Sequence, residues 1–228
     1  MLSVICPIYN EAKYIDVCVQ SILLQDYPKQ QLEVLFVDGM SKDGTRDIVN
    51  NYSKQYPFIR LLNNEKRIVP VAMNIGIKAS IGDIVMRLDA HAQYPPNYFS
   101  VLVKELVRLR ADNVGVACKT DVLNKTSKTL AIREVLSNRF GVGNSTFRLG
   151  VDKVIEVDTV PFGCWKKDVF NKYGFYDERL IRNQDIELNK RIVRGGGHIF
   201  IVPDTYCTYL ARETFDGLAK NNFGNGKW

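Results

Sequence analysis

At 228 residues, with 46% hydrophobic and 25% charged side chains, the chain has the composition of a folded protein with a sizeable core, which excludes a disordered segment. Lys and Arg exceed Asp and Glu by only 31 to 25 and form no polybasic run, so no nucleic acid is expected as a partner; the modest excess suits an anionic small ligand or a membrane surface. No apolar run approaches the ~20 residues that span a bilayer, the N-terminus lacks a signal-peptide pattern, and the five cysteines (Cys6, Cys18, Cys118, Cys164, Cys207) are scattered without a CxxC pair, so a cytoplasmic chain with reduced thiols and at most peripheral membrane contact is expected.

Taken in chain order, strands are predicted over Leu2 to Ile8, Glu33 to Val37, Phe58 to Leu62, Asp83 to Leu88 and Val114 to Lys119, each a short apolar or β-branched run. Between the first two, Ile15, Cys18, Val19, Ile22 and Leu23 share one helical face. Gly44-Thr45 opens a second helix through Asn51, and Pro70 and Pro96 each fit the first turn of another. Strand alternating with helix predicts an α/β chain with a mostly parallel central sheet flanked by helices. The second half is less regular. It reads as a helix from Asn124 to Asn138, a Gly-rich loop from Gly141 to Gly150 and a strand from Val154 to Val160. Helices from Lys166 to Lys172 and from Asp185 to Arg194 follow, then a strand from His198 to Val202. There is no internal repeat or low-complexity linker, and one domain over 1–228 is expected.

Four constellations carry chemistry. The apolar run from Ile84 ends in Asp89 and His91, and in an extended segment residues i and i+2 point the same way, so both side chains could reach one cation bearing a diphosphate. Lys66 and Arg67 are basic partners for the same phosphates. The first strand ends in Pro7-Ile8-Tyr9-Asn10-Glu11, where Asn10 is a plausible helix cap and Glu11 suits a helix start. A capped turn and a nucleotide-contacting turn both fit it, and no GxGxxG is present. Asp38 closes the second strand, where open α/β sheets bind ligands, and could accept from a base or ribose; Asp43, Gly44 and Thr45 are explained by turn chemistry alone. Finally, Gln184, Asp185 and Glu187 open a helix. A carboxylate there is ordinarily a dipole partner, but in a cleft facing a phosphate-bound donor it is a natural general base.

Together these residues resemble the inverting glycosyltransferases of family 2, which have the GT-A, Rossmann-like fold. The resemblance runs through Ser3 to Glu11, the Asp38 to Thr45 loop, Ala72-Met73-Asn74-Ile75-Gly76 leading to Gly82-Asp83, Leu88-Asp89-Ala90-His91-Ala92 and Gln184-Asp185. It is strongest to the bacterial exopolysaccharide branch that includes the succinoglycan enzyme ExoA. The resemblance implies transfer of a sugar from an NDP-sugar, UDP-sugars foremost, to a saccharide or lipid-linked saccharide, with inversion, in polysaccharide biosynthesis at the cytoplasmic face of the inner membrane. It implies a nucleotide-sugar half, 1–92, with Pro7, Tyr9, Glu11, Asp38, Arg67, Asn74 and Asp89 around the donor. The acceptor half, 93–228, would supply Gly163, Trp165, Gln184 and Glu187. Asp89 and His91 would hold a divalent cation, and Asp185 would be the catalytic base.

Departures from the family pattern bear on these roles. Asp38-Gly39 replaces a pair of acids, and Gln184-Asp185 replaces Glu-Asp, with Glu187 as reserve base. His91 replaces the second acid of DxD, a softer ligand that favours Mn²⁺ over Mg²⁺ and predicts nucleotide affinity falling below about pH 6.5. The tail from Asn221 to Trp228 is loosely similar to the family's RxxRW-like region, with a frayed terminus an equal reading. Relatives often continue into membrane segments, so a truncated catalytic domain is one expectation. Two rivals remain at this point: a sugar-nucleotide pyrophosphorylase, which should show a Gly-rich basic loop after strand one, and a non-catalytic NDP-sugar-binding protein.

Overall fold

The computed structural model describes residues 1–138, 146–211 and 213–227. Strands β1 (Leu2–Ile8) and β2 (Leu32–Asp38) anchor the parallel half of its sheet. β1 pairs in parallel with β2 on one side and with β4 (Ile84–Arg87) on the other, and β3 (Ile59–Asn63) lies beyond β2. Both faces are covered, which is why these strands read as nearly unbroken apolar runs. Alternate residues supply two separate cores: Val4, Cys6 and Ile8 join Ile15, Val19 and Ile22 of α1 (Ile15–Leu23), while Ile5 and Leu35 meet Met73 and Ile77 of α3 (Val69–Ala79). α3 approaches so closely that a Cβ on Gly76 would stand 2.5 Å from Ile5. Helix α2 (Thr45–Gln55) connects β2 to β3.

Beyond β4 come β5 (Ala92–Gln93), α4 (Tyr98–Arg108), β6 (Asn113–Asp121), α5 (Ser127–Ser137), the single turn α6 (Thr146–Leu149), β7 (Ile155–Glu156), β8 (Cys164–Lys166), α7 (Val169–Tyr173), α8 (Gln184–Arg194), β9 (Ile199–Leu210) and α9 (Phe215–Lys227). The sheet order is β3-β2-β1-β4-β8-β6-β9-β5, with β7 also on β9. It is mixed rather than purely parallel, because β8 runs antiparallel to both β4 and β6.

Several boundaries in the second half differ from the sequence reading. Lys166 ends a strand and does not begin a helix; the helix starts at Val169. The strand expected from Val154 to Val160 is only Ile155–Glu156. The helix expected from Asn124 begins at Ser127, because Thr126 and Thr129 form a capping box that fixes its first turn. β9 extends well past Val202, because the register shift opposite Val116 and Ala117 accommodates Pro203, which cannot donate to a ladder. Of the expected Gly-rich loop, 141–145 lie outside the described residues, as does Trp228 in the tail. All five cysteines are buried and free. Among the described residues, no helix is long and apolar enough to cross a membrane.

Candidate active site

The carboxyl ends of β1, β2 and β4 open into a cleft of about 130 Å³ bordered by Pro7, Tyr9, Glu11, Arg67, Asp89 and His91. Two broader cavities adjoin it. One, of about 520 Å³, runs past Tyr14 and Tyr209 to Gly217; the other, of about 490 Å³, is bordered by Arg67, Gln184 and Asp185. His91 lines all three. The strand-end pair and the α8 carboxylate, 94 residues further on, therefore face connected space.

Asp89 is held from several directions. Its amide donates to the Tyr94 hydroxyl at 2.8 Å, and that hydroxyl donates back to the Asp89 carbonyl at 3.1 Å. Burial, reinforced by Cys18, Tyr98 and Asp89, pushes the Tyr94 hydroxyl well above the usual phenol range, so it remains protonated. Arg87 Nε and Nη2 both approach Asp89 Oδ1 at 3.1 Å. Burial alone would lower the pKa of this guanidinium, but Asp89, with Tyr176 and Asp185 nearby, raises it further, so its charge is permanent. His91 Nδ1 lies 3.2 Å from Glu11 Oε1, and its ring meets Tyr209 and Tyr14 edge-on, with centroids 5.2 and 6.4 Å away.

The turn after β1 is laced to the loop after β2. Asn10 is not the helix cap expected of it, since α1 begins only at Ile15. It sits at φ 53°, its amide donates to Ser41 Oγ, and its side chain accepts from the Lys42 amide. The Glu11 amide donates to Thr45 Oγ1 at 2.8 Å, which places the Glu11 carboxylate beside His91. Asp38 is fully buried: it accepts from the Ser41 amide at 3.0 Å, from Ser41 Oγ, and from Arg46 Nη1 at 2.5 Å. This corrects the expectation of a side chain offered to a nucleoside. What that strand end presents to the cleft is Gly39, where an added Cβ would come within 3.0 Å of the Tyr9 ring.

Four further expectations are corrected. Asn74 clamps the backbone of Tyr176 through both its amide and its carbonyl, each at 3.0 Å, and bonds Glu178 at 3.1 Å; it braces the segment before α8 and does not border the cleft. Trp165 is core, packed against Phe170 and Tyr176, and offers no face to a sugar. Gly163 is buried at φ +96°, a conformation that favours glycine, and a Cβ there would strike the Trp165 ring at 2.4 Å. At the start of α8, Gln184 is buried with its Oε1 unpartnered among the described residues, and Asp185 Oδ1 accepts from the Ile186 amide at 3.0 Å. Glu187 faces away from this cavity and is paired with Arg191 at 2.5 Å, so it does not stand in as a reserve base.

Among the described residues, no group of three or more acidic, His or Cys side chains converges as a cation cage. The donor chemistry nonetheless fits a divalent ion shared with a ligand. Arg87 engages Asp89 Oδ1, which leaves Oδ2, and the His91 imidazole borders the same cleft beside Glu11, so a carboxylate and an imidazole of suitable ligand type stand together. Two such protein donors need phosphate or water oxygens to complete a coordination sphere.

The model of the family described as "Glycosyl transferase family 2" matches residues 3–174, about three quarters of the chain. The chain belongs to glycosyl transferase family 2. Among curated family 2 relatives, it is 28% identical over 230 residues to the dolichyl N-acetyl-alpha-D-glucosaminyl phosphate 3-beta-D-2,3-diacetamido-2,3-dideoxy-beta-D-glucuronosyltransferase of Methanococcus voltae, covering 99% of this chain and 71% of that one. It is 29% identical to the succinoglycan biosynthesis protein ExoA of Rhizobium meliloti, covering 98% and 67%. Solved structures of similar fold include S. aureus TarS 1-349 in complex with UDP-GlcNAc (TM-score 0.72, 19% identity, 96% of this chain and 60% of that one). The mannosyltransferase PcManGT from Pyrobaculum calidifontis, in complex with GDP-Man and Mn2+, gives a TM-score of 0.71 at 22% identity, with 94% and 58% covered. The chain thus spans about three fifths of these solved chains. At these identities they establish the fold, which is GT-A.

Sequence reasoning missed Arg87 and Tyr94 as parts of this candidate site. Arg87 stands two residues before Asp89 on the same side of an extended segment, a spacing that could have flagged it. Tyr94 carries no comparable signal, because its reach back to Asp89 depends on the turn between β4 and β5.

Proposed function

We propose that the chain transfers a sugar from an NDP-sugar, UDP-sugars foremost, to a hydroxyl of a saccharide or lipid-linked saccharide, with inversion at the anomeric carbon. The observation that carries this reading is His91 bordering both the Asp89 cleft and the cavity of Asp185. The donor complexes of TarS and PcManGT and the glycan-assembling relatives support it. Residues 1–92 form the donor half and 93–228 the acceptor half, working against glycans on the cytoplasmic side of a membrane.

In this reading the nucleotide lies over Pro7, Tyr9 and Gly39, with its diphosphate between Arg67 and the Asp89–His91 pair. Asp89 and His91 would hold a divalent cation, Mn²⁺ before Mg²⁺ because of the imidazole, and the chemistry it would supply there is positive charge for the departing diphosphate. Asp185 accepts the proton of the acceptor hydroxyl as that oxygen attacks the anomeric carbon from the face opposite the leaving group. Arg87 and Glu11 keep the two metal-facing side chains oriented. One displacement yields the inverted product.

The test incubates the protein with radiolabelled UDP-, GDP- and dTDP-sugars, Mn²⁺ and saccharide or lipid-linked acceptors. Asp185→Asn is expected to lower transfer by about 10²- to 10⁴-fold while nucleotide binding is retained. Metal-dependent nucleotide binding by the wild type, with no transfer to any acceptor, would instead identify a sugar-nucleotide-binding protein.

A further inference from the structure

The cavity that holds Asp185 does not end at the start of α8. Asn183 and Ile186 line it and also line a second groove of about 430 Å³ that continues along the outer face of the helix to Lys190 and Arg194. Helical periodicity builds that face: Lys190, Val193 and Arg194 follow Ile186 by four, seven and eight residues, so they stand on one side of α8, with Val193 beside the groove and the other three lining it. Ile186 and Val193 are 36% and 41% exposed, unusually open for branched apolar side chains on a helix whose opposite side reaches the core. Ile181, 51% exposed, extends the apolar surface at the mouth of the Asp185 cavity.

The charges on this face are unevenly committed. Arg191 is engaged by Glu187 and by the carbonyls of Tyr173 and Phe175, so Glu187, the one acid lining the groove among the described residues, is already neutralised. Lys190 and Arg194, one turn apart and exposed, make no ion pair among the described residues. A guanidinium beside an ammonium offers several N–H donors to one multi-oxygen anion, a better match for phosphate than for a single hydroxyl. Aliphatic surface next to those donors suits a tail attached to that phosphate. At 1.5 Å per residue, Lys190 and Arg194 lie roughly 7.5 and 13.5 Å along the helix axis from Asp185, so a phosphate there would be separated from the reacting hydroxyl by a short saccharide.

We propose that the outer face of α8 seats the phosphate and the first aliphatic segment of a lipid-linked acceptor, with Lys190 and Arg194 as phosphate ligands, Ile186 beside the intervening saccharide and Val193 against the lipid. This rests on the reading of Asp185 as the acceptor-facing base, and it selects a lipid phosphate over a free saccharide.

The experiment measures binding of decyl phosphate below its micellar concentration, of decanol and of inorganic phosphate to the whole chain and to the surface variant K190Q/R194Q. UDP with Mn²⁺ is measured in parallel. Saturable binding of decyl phosphate, tighter than either decanol or inorganic phosphate and weakened by about tenfold or more in the variant, with UDP binding unchanged, is expected. Equal decyl phosphate binding by both proteins overturns the proposal, as does inorganic phosphate binding as tightly as decyl phosphate. Vesicles of phosphatidylglycerol in phosphatidylcholine form a further arm. Capture on these vesicles that depends on Lys190 and Arg194, without binding of monomeric decyl phosphate, also overturns it and marks a membrane-docking face instead. Failure of the wild type to bind any nucleotide would count against the donor reading alone, because the phosphate seat is judged on the decyl phosphate data.

Discussion

The two rims of the cleft are built to different standards of completeness. On the Asp89 rim, Tyr94 holds both backbone groups of the acid, Arg87 holds one carboxylate oxygen, Glu11 meets His91, and the His91 carbonyl accepts from the Leu210 amide. On the Asp185 rim, Asn183 takes a left-handed conformation at φ 58°, Gln184 buries an unpartnered Oε1, and Asp185 turns back onto the amide of the next residue. A buried polar atom without a partner costs about 1–3 kcal/mol. The contrast is in how each carboxylate is held: Asp89 is gripped by side chains from its own strand and the next turn, with Arg87 Nη1 left buried and unpartnered among the described residues, whereas Asp185 leans on the amide of its own helix start.

The largest effect that could break this comparison is expected at Asp89. Asp89→Asn should lower transfer by about 10³-fold, the scale of losing one preorganised electrostatic contact, and should abolish Mn²⁺-dependent nucleotide binding in equilibrium dialysis. Asp185→Asn should leave that binding intact; if both variants lose it, the rims are not separable. Arg87→Met should destabilise the fold by about 3 kcal/mol in urea unfolding, because it leaves Asp89 without its buried partner. A variant as stable as the wild type would show that the donor rim does not rely on the pair.

Asn74→Ala is expected to cost about 2 kcal/mol from the buried bonds lost at Tyr176, with nucleotide affinity unchanged; weakened nucleotide binding at unaltered stability would return Asn74 to the donor site. Asn74 carries a pH signature as well. Its hydrogen bond, with that of Lys66, holds Glu178 below the usual carboxylate range, so the associated stability is present above the unfolded value near pH 4.3 and is lost as pH falls through the lower folded value. In the Asn74 variant, the dependence of stability on pH through this acid region should be shallower.

The first half of the fold was legible because β1 to β4 show apolar runs, and because β1, β2 and β3 are each followed by a helix with a readable face. β8 was not: Cys164–Lys166 is three residues long, too short for any period, and it inserts antiparallel between strands far away in sequence. The elements that present the site followed the same rule. Asp89, His91 and Asp185 could be named because they stand at element ends, where side chains meet a cleft. The fates of Asp38, Asn74 and Trp165 could not, since they depend on partners chosen in three dimensions: Arg46 one loop away, Tyr176 at a separation of 102 residues, and the rings of Phe170 and Tyr176. A carboxylate at a strand end faces either a ligand or its own loop, and only the placement of Arg46 decided for the loop.

The ring that the Tyr94 hydroxyl closes on the main chain of Asp89 has a consequence for evolvability. Because it grips the peptide and ignores the carboxylate, the socket should keep its shape when another side chain is plugged into that position. A change of preferred ion could then arise from a single codon without rebuilding the scaffold beneath it.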